Sequence, residues 1–169
     1  GGMEPYGDQV LEKAKSSGLS VLDVALNGDT PQNSVKKLFS AKDADVVNIT
    51  SFVPHEISRI IFACSDAVLA DSVHEPFGLV GLETMASGGL AFVGNTGEDY
   101  ARDHVNAMVL ETSKPTEAAA SILYLQQRDG LKREISENAR STAQEFTWNR
   151  IINDTLQTKL QRLAWERYV

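Results

Sequence analysis

With 169 residues, 42% hydrophobic and 23% charged, the chain is long enough for one compact α/β domain and too short for two large ones. Its 16 basic and 23 acidic side chains give a net charge of −7, which argues against nucleic acid and against an anionic membrane surface as partners. A phosphate held locally by backbone amides is still compatible with that charge, so a nucleotide ligand is not excluded. No run of about 18 apolar residues is present and no signal peptide is recognisable, so no transmembrane segment is expected. Cys64 is the single cysteine; no intrachain disulfide can form, and a cytoplasmic setting is expected. Its neighbours Ile60, Ile61, Phe62 and Ala63 predict a buried, inert thiol.

In chain order, residues 8–17 place Val10, Leu11 and Ala14 at helical spacing, closed by Gly18. Residues 19–26 are rich in Val and Leu and run into the turn signal Asn27-Gly28-Asp29, which predicts a strand. Thr30 as N-cap and Pro31 as first helical residue open a helix to Ala41. Residues 46–53 read as a strand ended by Pro54, and 55–65 as a helix with Ile57, Ile60, Ile61 and Cys64 on one face. Residues 67–70 form a short buried strand, 77–87 a helix stopped by Gly88-Gly89, and 90–93 another buried strand. Residues 108–110 supply a last short strand, and helices follow over 116–127, 131–144 and 148–167. Short apolar strands alternating with helices predict βαβ units. The expected fold class is therefore α/β, a doubly wound Rossmann-like parallel sheet with helices on both faces. One domain is expected over 1–169, with 147–168 as a C-terminal helix.

In such folds ligands sit beyond the carboxyl ends of the strands, where loops lead into helix N-termini. That rule singles out 67–87. The strand ends at Asp71-Ser72, and the loop Val73-His74-Glu75-Pro76 feeds a helix starting near Phe77-Gly78-Leu79. Gly78 lets a ligand approach the backbone, and the free N–H groups of Gly78, Leu79 and Val80 at the positive end of the helix dipole suit a phosphate. Glu75 precedes the helix. Glu83 lies on its second turn, tilted back toward the N-terminus. Two carboxylates on either side of a phosphate site match the hydroxyls of a sugar-phosphate-ribose ligand. Alone, each feature is a turn glycine, a dipole-complementing charge or a solvated helix position; their combination points to the ligand.

The run His74-Glu75-Pro76-Phe77-Gly78-Leu79-Val80-Gly81-Leu82-Glu83, followed by Met85-Ala86-Ser87-Gly88, is similar to the E-x7-E motif of retaining glycosyltransferases with two Rossmann-like domains, the GT-B group that includes glycogen synthase and sucrose synthase. Residues 48–55 resemble the strand and loop bordering the nucleotide base, Ser65-Asp66-Ala67 resembles the Ala-Asp before the next strand, and Phe146-Thr147-Trp148 is similar to the Phe-Ser-Trp that opens the terminal helix. The resemblance covers nearly the whole chain. It implies that Glu75 contacts donor-sugar hydroxyls at the catalytic position. It further implies that the Gly78, Leu79 and Val80 amides hold the diphosphate and that Glu83 binds the ribose. Val53 and Pro54 would border the base, and Thr96 and Gly97 would lie near the donor sugar. The donor is then a nucleotide-diphospho-sugar, with no metal and no other cofactor, and the acceptor is held by an N-terminal domain of the same parent protein.

The pattern also breaks. The family's C-terminal domain opens with a strand ending in Gly-Arg and continues to Lys-Gly, cations that neutralise the leaving diphosphate. Here Gly2 and Tyr6 fall near those positions, and the strand before them is absent. Loss of a central strand leaves a gap in the sheet and an exposed edge that invites a homodimer. The chain is thus expected to be the donor-binding C-terminal half of a GT-B enzyme, inactive in isolation. The alternative is a non-catalytic nucleotide-sugar-binding module that has lost the basic pair; a nucleotide-sugar epimerase ranks behind both. His55, His74 and His104 have no metal-ligand spacing, and Gly94-Asn95-Thr96-Gly97 lacks the Lys of a P-loop. Trp148 and Trp165 read as packing residues, and Lys132, Arg133, Glu134 and Glu137 as a solvated helix face.

Overall fold

The computed structural model describes residues 6–72 and 75–166. The chain divides into two compact units, Gly1–Ser58 and Arg59–Val169.

The first unit runs α1 (Tyr6–Ser16), β1 (Val21–Val24), α2 (Pro31–Ser40) and β2 (Val46–Ile49). The strands pair in parallel, from Val21 opposite Val46 to Val24 opposite Ile49. Thr30 caps α2 as expected: its side chain accepts from the Asn33 N–H, and Pro31 occupies the first turn. Both strands are shorter than the sequence pattern suggests. Beyond the ladder the two segments stay tied through a side chain, the Leu26 N–H donating to Ser51 Oγ at 2.7 Å. At the other end Ser20 and Asp45 clasp the pair. The Ser20 N–H and hydroxyl donate to the Asp45 carboxylate at 2.8 and 2.7 Å, and these bonds hold its pKa below the ordinary value.

Helix α3 (His55–Cys64) spans the boundary between the units. Ile57 is fully buried, but Ile60 is exposed and so is Cys64, contrary to the expectation of a buried thiol. Cys64 ends the helix at the mouth of an open cleft of about 560 Å³, which it lines with Ser65, Asp66, Lys132, Arg133 and Arg140. Apolar neighbours in sequence do not by themselves cover a side chain on the last turn of a helix.

In the second unit β3 (Val68–Ala70), α4 (Leu79–Ser87), β4 (Ala91–Val93) and β5 (Met108–Val109) lead to α5 (Pro115–Gln126) and α6 (Asp129–Ala143). The sheet order is β3-β4-β5, all parallel. Central β4 is buried on both faces, and its side chains alternate between two cores. Ala91 and Val93 pack with Met85, Tyr100, Ala107 and Ala139. Leu90 and Phe92 pack with Met108, Leu110, Leu125 and Ile135. Complete burial of Phe92 alone stabilises the unit by about 1.5–3 kcal/mol. The fold is thus α/β with parallel strands and covering helices. Among the described residues, however, the five strands form a two-stranded and a three-stranded sheet.

The terminal helix is not uniform: α7 (Trp148–Arg150) passes through a π-helical stretch, Ile151–Gln157, into α8 (Thr158–Glu166). Trp148 is 77% exposed rather than packed. Ile151, Ile152, Leu156, Leu160 and Leu163 are exposed too, so no apolar layer among the described residues covers this rod. The Trp165 side chain lies outside what the structure describes. No helix among the described residues is long and apolar enough to cross a membrane.

Candidate functional site

Strand β3 delivers the chain at Ala70 to a loop that enters α4 through Gly78. Gly78 is the N-cap, in the left-handed conformation (φ 77°, ψ 57°), so the helix begins at Leu79, two residues later than the sequence pattern predicts. The left-handed residue cannot continue a right-handed helix; it turns the chain into one. Space demands glycine as well as conformation. A Cβ here would lie 2.6 Å from the Thr96 carbonyl oxygen, 3.0 Å from Thr96 Oγ1 and 3.1 Å from the Tyr100 hydroxyl.

The turn leaves the helix start open. Leu79 and Val80 are exposed, and among the described residues no hydrogen bond occupies the N–H of Gly78, Leu79 or Val80. Orphan amides ahead of a nine-residue helix, at the positive end of its dipole, are donors for an anion. Glu75 and Glu83 are both half-buried. Among the described residues neither carboxylate has a hydrogen bond or ion pair.

Beneath this turn lies a layer that sequence reasoning did not find. The Tyr100 side chain is 4% exposed, and its hydroxyl donates to the Gly78 carbonyl at 2.5 Å. Its ring packs against Phe77 at 5.4 Å and Phe146 at 6.1 Å between centroids. Burial, reinforced by the negative charge of Glu75 and opposed by the Leu82 N–H, pushes the phenol up to about 12. The Tyr100 carbonyl accepts from the amide of buried Asn106 at 2.9 Å, and that amide also donates to Thr142 Oγ1 on α6 at 2.9 Å. The Arg102 N–H donates to Asn106 Oδ1 at 2.7 Å, so this buried amide is satisfied on both sides. A chain of bonds therefore runs from α6 through Asn106 and Tyr100 to the N-cap of α4.

Gly81, inside α4, belongs to the same layer: a Cβ there would overlap the Tyr100 hydroxyl and lie 2.7 Å from Val93 Cγ1. This residue carried the one signal available in the sequence. A mid-helix glycine costs about 1 kcal/mol relative to alanine, so its presence between Val80 and Leu82 points to a close approach. Nothing comparable marks Tyr100 or Asn106.

The structure gathers Glu75, Gly78, Leu79, Val80, Glu83, Thr96 and Gly97 in the second unit, around the carboxyl ends of β3 and β4. Thr96 and Gly97 belong to a 3-10 turn (Asn95–Gly97) directly after β4, and both are buried. Thr96 Oγ1 is buried without a hydrogen-bond partner among the described residues and sits against Gly78. Val53 and Pro54 lie half-buried between β2 and α3, in the first unit. His74 and Gly2 fall outside the described residues, and Tyr6 is exposed on α1. Among the described residues no group of three or more His, Cys, Asp or Glu is placed to hold a metal ion.

Residues 8–142 match the family model for glycosyl transferases group 1. Over 108 residues, 62% of its length, the chain is 28% identical to an uncharacterized glycosyltransferase of Methanocaldococcus jannaschii and spans 28% of that relative. Its fold is similar to that of Anabaena HepE crystallised with UDP (TM-score 0.63, 22% identity), covering 96% of this chain and 47% of that one. It is also similar to the C-terminal domain of LpcC, a glycosyl transferase group 1 family protein of Francisella tularensis (TM-score 0.55, 15% identity), covering 80% of this chain and 91% of that one. The chain thus spans less than half the length of the first two of these relatives. With the family model matching most of its length and the fold agreeing, the chain belongs to the group 1 glycosyltransferases.

Proposed function

We propose that the chain is the donor-binding domain of a retaining glycosyltransferase, holding a nucleotide-diphospho-sugar across the N-terminal end of α4. The observation that carries this reading is the left-handed Gly78, which leaves three successive amides without partners at the head of a nine-residue helix. In this reading those amides donate to the diphosphate and stabilise the charge that grows on it as the sugar leaves. Glu83 accepts from ribose hydroxyls and Glu75 from hydroxyls of the donor sugar. The acceptor hydroxyl attacks from the face the diphosphate leaves, which retains configuration, and an N-terminal domain supplies that acceptor. No metal takes part.

The UDP complex of HepE and the likeness to an isolated C-terminal domain support both the ligand class and the place of the chain in such an enzyme. We read residues 1–169 as one nucleotide-sugar-binding domain, inactive in isolation. A second reading, a binding module without catalysis, is favoured by Tyr6, which stands near a cation position of the family. Self-association through an unpaired strand is part of this reading, and sedimentation showing a stable monomer would refute it.

Titration calorimetry with UDP, GDP and ADP tests the donor site. One of the three is expected to bind, unchanged by EDTA and weakened in Glu83→Ala. Absence of binding by all three overturns the reading. Sugar transfer measured after joining an acceptor-binding domain separates the enzyme from the non-catalytic module.

A further inference from the structure

Two glycines of the α4 segment, Gly78 and Gly81, face the same buried hydroxyl. A Cβ at either would crowd or overlap the Tyr100 oxygen, and that oxygen donates to the Gly78 carbonyl at 2.5 Å. The hydroxyl thus occupies the space that the absence of two side chains creates, in the first turn of the helix. Its ring is fixed by Phe77 and Phe146, and its backbone by Asn106, itself bonded to Thr142 on α6. Thr96 closes the other side of Gly78, its carbonyl and hydroxyl oxygens within 3.0 Å of where a Cβ would stand. A left-handed residue is held by its surroundings, and here the surroundings are these two residues, through the Thr96 backbone carbonyl and the two hydroxyls.

We propose that Tyr100 is a positioning residue for the anion site: by holding the Gly78 carbonyl it fixes the peptide plane that follows, and so aims the Leu79 N–H, together with the Gly78 and Val80 amides, at the bound diphosphate. Tyr100 itself touches no ligand. Orientation of fixed donors is the quantity at stake, because preorganised amides act on charge without reorganising when it arrives. Burial holds the phenol in its protonated, donating form at neutral pH. The inference rests on the donor-site reading above, which it deepens.

The test compares Tyr100→Phe with the unaltered chain. The variant keeps the ring among Phe77 and Phe146 and removes only the hydroxyl. Calorimetry uses whichever of UDP, GDP and ADP binds best, together with the matching nucleoside. The expected result is a loss of about tenfold in diphosphate affinity with nucleoside affinity unchanged, accompanied by shifts of the Leu79 and Val80 amide resonances. Equal affinity for the diphosphate in variant and parent overturns the inference and leaves the donor site standing. An equal loss for nucleoside and diphosphate also overturns it, because it reports general loosening rather than aim. No binding by the unaltered chain overturns both readings together. Should Tyr100→Phe fail to fold, 3-fluorotyrosine at position 100 keeps the hydroxyl. Its fluorine resonance is expected to move on adding the diphosphate and not the nucleoside, and a resonance that ignores both overturns the proposal.

Discussion

Helix α4 begins and ends on a left-handed glycine, and the two differ in what surrounds them. At Gly78 (φ 77°) the space of a missing side chain is taken by the Thr96 backbone carbonyl and by the hydroxyls of Thr96 and Tyr100, all within a buried layer. At Gly88 (φ 81°) it is taken by the guanidinium of exposed Arg140, which also reaches the Ser87 carbonyl at 3.4 Å. The C-terminal glycine closes the helix in the usual way, its N–H and that of Gly89 returning to the Met85 and Thr84 carbonyls. Similar dihedral angles therefore serve two purposes. One glycine ends a helix beside a flexible side chain on an open cleft; the other opens a helix against rigid neighbours and leaves its amides free.

The sharpest way to break this contrast is Gly78→Ala. The left-handed conformation costs a residue with a Cβ about 1–2 kcal/mol, and overpacking against a backbone oxygen adds about 1–3 kcal/mol. Urea unfolding is expected to show roughly 2–5 kcal/mol of lost stability, and calorimetry no diphosphate binding. Glu83→Ala should separate function from fold: affinity falls by about 10–100-fold, the equivalent of a lost charged hydrogen bond, while stability stays within about 0.5 kcal/mol. Gly88→Ala is expected to cost about 1–2 kcal/mol from backbone conformation alone, since Arg140 can swing away, with diphosphate affinity unaltered. If Gly88→Ala abolished binding as Gly78→Ala does, the distinction between the two ends would fail.

Two smaller effects sharpen the picture of the buried layer against the open cleft. Tyr100 has its folded pKa raised to about 12, above the ordinary value of 10.0, so its contribution to stability is complete below pH 10 and is lost as pH rises through 12. Spectrophotometric titration of the four tyrosines should show one late phenol, absent in Tyr100→Phe. At the other end, exposed Cys64 should react with iodoacetamide in the native state, and Cys64→Ser should change stability by less than about 0.5 kcal/mol. A protected thiol would mean that the cleft is covered in solution.

Much of this architecture was legible. Period and punctuation located the strands and most of the helices, Thr30-Pro31 marked a helix start that the structure confirms by its cap bond, and the spacing of Glu75, Gly78 and Glu83 identified the helix whose amides are free. Those features depend on residues within one turn or one strand of each other. What was illegible depends on long separations. Tyr100 meets Gly78 across 22 residues and Asn106 meets Thr142 across 36; no local pattern reports either bond. Cys64 and Trp148 were misjudged for the same reason, because apolar neighbours in sequence do not say whether anything packs over a side chain. The π-helical stretch after Arg150 likewise left no mark in composition or spacing.

The chain's sequence by itself determined the α/β alternation, the family and the segment whose helix start is left open, because these follow from local periodicity and from a motif whose parts share one loop and one helix. Tertiary structure alone decided why two of that motif's residues must be glycine. Gly78 and Gly81 leave room for groups contributed from beyond β4, and only packing brings Thr96 and Tyr100 against them.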